Sequence, residues 1–144
     1  MRAWLVVHAV VAVVATGAAV HGAVRTAAGW RASATWQPRR VRWHTTVAAV
    51  AYGATMATGL AIYPPYRLHV HAAGLDRHAP VLHALFEMKE HGAVAVAPLL
   101  LLWWLWARTS AEPDAWAVAT ASLVVALTVF GTLVGLSVVA ADVW

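Results

Sequence analysis

The sequence predicts an all-α fold, an integral-membrane bundle of four antiparallel helices, and three observations carry that expectation. Of its 144 residues, 62% are hydrophobic and only 11% are charged, more apolar than a soluble domain of this size. Four apolar runs are long enough to cross a hydrocarbon core of about 30 Å, which takes about 20 helical residues. The connections between the runs differ sharply in positive charge, as the loops of a membrane bundle do.

The four spans fall at approximately residues 3–24, 41–62, 80–107 and 115–141, and together they make residues 1–144 a single transmembrane domain. The first, "MRAWLVVHAVVAVVATGAAV", has Arg2 ahead of an apolar core, as a secretory signal does. It is read as a retained span. The second is slim, with Gly53, Gly59 and several alanines, which leaves room for a neighbour or a flat ligand. The third holds Pro98, which is expected to kink it. The fourth holds "GTLVG", where Gly131 and Gly135 let another backbone approach.

The first connection carries Arg25, Arg31, Arg39, Arg40 and Arg42, whereas the second carries Arg67 and Arg77, the latter beside Asp76. This asymmetry places the first loop in the cytoplasm and both termini outside, in the inner membrane of a bacterium. Trp30, Trp36, Trp43, Trp103, Trp104, Trp106 and Trp116 then gather at the inner interface and Trp4 and Trp144 at the outer one. The second connection begins at Pro64 and Pro65 and ends at Pro80, a residue suited to a first helical turn. Residues 67–78 between them are expected to form a loop or a short interfacial helix on the outer face.

A net charge of +4 and an isoelectric point near 10.4 do not point to nucleic acid, because the arginines flank apolar runs. The expected surroundings are a lipid bilayer and other membrane-protein subunits. Cysteine is absent, so disulfides, thiolate metal sites and iron–sulfur clusters are excluded, and any metal must be held by His, carboxylate or backbone. No phosphate loop, nucleophile elbow or HExxH motif occurs, so the chain reads as a redox or non-catalytic subunit.

Eight histidines in a chain with one lysine are the conspicuous chemical feature. Counted along straight helices from Arg25 and Arg108, His8 and His91 both stand roughly 25 Å up, near the outer surface. His21 and His44 lie close to Arg25 and Arg42 and form a second, inner level. Two imidazole levels on four spans resemble the membrane b-type cytochromes, such as the cytochrome b561-like and respiratory membrane-anchor families. That resemblance implies haem b held by His21 with His44 and by His8 with His91. Arg25, Arg40 or Arg42 would then neutralise propionates, and the function would be electron transfer within a larger respiratory or photosynthetic complex, with quinone as a further ligand. The spacing of His8 and His21 opposes two haems in one core, because 13 residues leave them about 140° apart around a helix.

The stretch "LHALFEMKEH" offers a different constellation. His83, Glu87 and His91 recur at every fourth position, with Glu90 beside them, and so share one helix stripe suited to zinc, iron or copper. An outer-face metal-binding or proton-handling protein is therefore the first alternative. The bland reading of the same residues is a solvated collar, with Lys89 pairing with Glu87 or Glu90 or reaching out to the headgroups. A cofactor-free accessory subunit that packs through Gly131 and Gly135 is the second alternative.

Overall fold

The structure is a computed structural model that describes residues 2–66 and 79–140. Four helices make it up: α1 (Arg2–Arg31), α2 (Pro38–Tyr66), α3 (Pro80–Thr109) and α4 (Ala115–Ala140), with a single 3₁₀ turn at Ser33–Thr35 after α1. Each helix is long and apolar enough to cross a membrane. They stand in a ring in which α1 touches α2 and α4, and α3 touches α2 and α4. The backbones of the diagonal pairs, α1 with α3 and α2 with α4, do not approach each other closely among the described residues. His8 meets Thr58 while Gly22 meets His44, and Tyr52 meets Ala93 while Trp104 meets Thr46, so neighbouring helices run antiparallel.

The helices overrun the expected spans, most clearly α1, which continues to Arg31. Pro64 and Pro65 do not stop α2, which ends at Tyr66. A proline in the last turn forfeits hydrogen bonds only to carbonyls near a helix end. Residues 67–78, and with them His69, His71 and His78, lie outside the described residues, as do residues 141–144.

The sequence explains the ring. The buried face of α1 is a stripe of small residues, Ala15, Ala18, Ala19, Gly22, Thr26 and Gly29. On α3 the buried positions are Val96, Leu100, Trp103 and Ala107, spaced four, three and four apart. That is the heptad rhythm of helices crossing at a shallow angle. Without a hydrophobic driving force between helices in lipid, association rests on close packing, and small residues permit it. Trp103, 1% exposed, fills the middle. Its indole runs over Gly22, so it is a core residue and not the interfacial anchor expected of it.

The other tryptophans at this end divide between internal and external roles. Trp36 donates its indole N–H to the Ala111 carbonyl at 2.7 Å and packs against Trp106. Trp104 donates to Thr46 Oγ at 3.1 Å and carries the Arg108 guanidinium on its face. Trp30, Trp43 and Trp116 are exposed. Asp114 caps α4 by accepting the Ala117 N–H at 2.7 Å. Asp114→Ala is expected to cost about 1 kcal/mol in equilibrium unfolding, the usual worth of such a cap.

Candidate functional site

The core is closed at the arginine end and open at the other. Around Trp103 the buried cluster of Ala18, Ala19, Ala48, Leu100, Ala121 and Val124 forms the packed part of the core. Toward the opposite end the centre is faced by Ala9 and Ala12 of α1, Gly59 of α2, and Gly131 and Gly135 of α4, which supply little volume. A cavity of about 330 Å³ results, reached by residues of all four helices. Tyr66 and Phe86, stacked with ring centroids 4.6 Å apart, pack with Val138 at this end of the bundle.

Most of the wall is apolar; threonine and tyrosine hydroxyls break it, and its ionisable side chains besides the tyrosines are His8, Lys89 and Glu90. His8 is held on α1 by α2. Its Nδ1 lies 3.1 Å from Thr58 Oγ, and its Cε1 would stand 3.2 Å from a Cβ at position 59, so Gly59 makes room for the ring. The Thr58 hydroxyl proton is already directed at the Ala54 and Thr55 carbonyls, at 2.8 and 3.0 Å. Its oxygen must therefore accept from His8, which puts the imidazole proton on Nδ1 and leaves Nε2 as a lone-pair acceptor.

Lys89 reaches the same cavity from α3. Its stem and ammonium lie along the glycine pair of α4, where a Cβ at position 131 would meet Cγ at 3.7 Å and one at position 135 would meet Nζ at 3.4 Å. The ammonium also sits 4.6 Å from the centre of the Phe86 ring. Glu90, beside it on α3, is the carboxylate within its electrostatic reach, and the ammonium in turn acts on His8. The GTLVG stripe thus seats a lysine, and Lys89 does not snorkel outward as a collar residue would.

The expected metal stripe is only partly assembled. His83 Nε2 and Glu87 Oε1 are 3.6 Å apart. His91 is exposed and turns Nδ1 back to the Glu87 carbonyl at 2.8 Å, while Glu90 faces the cavity. Among the described residues no three of His, Asp and Glu come together in a way that would hold a metal ion.

A haem between the expected pairs requires two imidazoles whose nitrogens oppose each other across an iron. His21 and His44 do meet, stacked with ring centroids 5.7 Å apart and planes 25° from parallel. At that level α1 and α2 are tightly packed, since a Cβ at Gly22 would stand 3.3 Å from the His44 Cβ. Rings stacked in this way would both have to turn before their nitrogens could face one iron. His8 and His91 stand on α1 and α3, opposite corners of the ring without mutual contact. Of the two expected pairs, the packing brings only His21 and His44 together.

The chain was compared with protein-family models, curated sequences and solved structures. It matches none of them.

The residues of this site whose roles sequence reasoning missed are the cavity residues Lys89 and Tyr52, and Thr58, which holds His8. Lys89 had a signal, being the single lysine of the chain. Tyr52, which donates its hydroxyl to the Ala93 carbonyl, and Thr58 had none, because their roles depend on which helix they face.

Proposed function

We propose that the protein is a small membrane electron-transfer subunit whose cavity binds a lipid-soluble quinone or quinol. One observation carries this reading: a lone-pair imidazole nitrogen and an ammonium face the same apolar cavity between membrane-crossing helices. Ionisable groups at such a depth are expensive and mark functional sites. An apolar chamber of this size with a few convergent polar groups is the general form of a small-molecule site.

The two polar groups have complementary duties. The Lys89 ammonium is a donor only, suited to a quinone carbonyl. His8 Nε2 is an acceptor only, suited to a quinol hydroxyl, and its Nδ1–H bond to Thr58 holds the ring in position. The small residues of α1 and α4 would receive the head group, and the apolar tail would leave between helices into lipid. With the arginine loop cytoplasmic, this site lies in the outer half of the membrane.

Binding of a decyl-benzoquinone and of its quinol, followed by tryptophan quenching, tests the reading. His8→Ala is expected to weaken the quinol by roughly two- to tenfold, the worth of one neutral hydrogen bond, and to leave the quinone nearly unaffected. Equal binding of both forms by wild type and variant would end the proposal.

A b-type haem on His21 and His44 is a second reading, favoured by their 5.7 Å approach, and it needs their rings to turn edge-on to an iron. A Soret band in purified protein, abolished by His44→Ala, would establish it. A colourless protein would remove it.

A further inference from the structure

We infer that the arginine end carries a second binding site, for the phosphodiester group of an anionic membrane lipid. The site is a groove of about 410 Å³ on the outside of α1, where His21, Arg25, Thr35 and Gln37 surround a floor that includes Val20 and Val24. It owes nothing to the cavity at the other end.

The donors are already arranged. Arg25 Nη1 donates to Gln37 Oε1 at 2.9 Å. That bond fixes both side chains and settles the Gln37 amide, whose oxygen faces Arg25 and whose NH₂ is left to donate elsewhere. The remaining guanidinium N–H groups of Arg25 are likewise left for an external acceptor. Arg40, from the first turns of α2, adds its charge close by, since both Arg25 and Arg40 act on His44, which stacks on His21. No carboxylate of the described residues forms an ion pair with Arg25 or Arg40.

The arginines of this end divide by task. Arg42 donates through Nε to the Ala107 carbonyl at 2.9 Å, and Arg108 is taken up by Trp104 and Thr46. Those two hold helices together. Arg25 instead leaves positive charge at the groove, beside the Gln37 amide, with exposed Arg40 nearby. A phosphate oxygen accepting from a guanidinium and an amide is the chemistry that satisfies them.

The groove floor decides between a lipid and a free phosphate. Val20 and Val24 lie one turn apart on the face of α1, and both continue an apolar surface toward the bundle's middle. Exposed Trp30, Trp43 and Trp116 mark the same end as an interfacial level. An acyl chain lying on the valines beneath a phosphate on Arg25 fits both parts of the groove, as basic pockets at helix ends do for anionic headgroups.

Native mass spectrometry of the full-length protein, exchanged into equimolar phosphatidylglycerol and phosphatidylcholine, tests this. Wild type is expected to retain phosphatidylglycerol selectively. Arg25→Ala should lower that selectivity by roughly fivefold, the contribution of one interfacial cation. Arg25→Lys should keep most of it, and Arg39→Ala, outside the groove, should keep all of it. Gln37→Ala, in the exposed connection, provides a second reduction that does not burden the helix. Equal retention of the two lipids by wild type, or an equal loss in Arg39→Ala, overturns the site. Displacement of phosphatidylglycerol by millimolar inorganic phosphate overturns the lipid assignment in favour of a free-anion site.

Discussion

Lys89→Met is expected to do two opposite things: weaken ligand binding by roughly ten- to hundredfold and make the bundle harder to unfold. The first effect is the loss of a charge-assisted hydrogen bond, worth about 1.5–3 kcal/mol. The second follows because the ammonium is largely desolvated where it lies across the Gly131 and Gly135 groove of α4, with Glu90 offsetting only part of that cost. A methionine keeps most of the stem that fills this groove. It removes a charge whose burial in a membrane helix costs up to about 2.5–3.5 kcal/mol. Gained stability with lost affinity is the signature of a residue kept for function. A lysine serving only as a collar would change neither when replaced.

Gly22→Val is expected to be the most damaging substitution for the fold. A Cβ there would stand 2.7 Å from the Trp103 ring and 3.3 Å from the His44 Cβ. Trp103 is 1% exposed and has no space to retreat, so α1 would have to move away from α2 and α3. Overpacking of this kind costs about 3 kcal/mol. Gly17→Ala is the control, because nothing lies within 4 Å of the added Cβ. It should stabilise α1 by up to about 1 kcal/mol through helix propensity. Unfolding in mixed micelles, monitored by circular dichroism, measures both changes.

Much of the fold was legible because membrane spans announce themselves by length and apolarity. All four helices stand where the apolar runs predicted them. Their ends were less legible, since Pro64 and Pro65 resemble a stop in sequence and are tolerated in a last turn. The site was legible only in part. His8 stood out as a lone imidazole inside an apolar run, and it does line the cavity. Its partner was read as His91, by matched depth along straight helices. Depth ignores azimuth, and α1 and α3 turn out to stand diagonally, with His91 exposed on α3 while His8 lines the cavity.

The glycines show the same limit. Gly131 and Gly135 were recognised as a place for close approach, but their spacing does not say whether a backbone or a side chain will lie there. Gly59 and Gly22 were read as marks of a slim helix or passed over, yet one accommodates His8 and the other Trp103. Each pairing depends on the neighbour selected by the ring order, which no single helix encodes. His21 and His44 do meet in space, and what the sequence did not contain was how closely α1 and α2 pack beside them.

The central claim is that the cavity around His8 and Lys89 holds a lipid-soluble carbonyl or hydroxyl ligand, and photolabelling in the bilayer tests it most directly. An azido-quinone, activated in proteoliposomes and mapped by peptide mass spectrometry, is expected to mark cavity residues of α1, α3 and α4 such as Ala12, Ala93 and Thr132. Excess unlabelled quinone should protect them, and Lys89→Met should reduce the labelling. Label spread evenly over the lipid-facing valines and leucines, with no protection by excess quinone, would contradict the account.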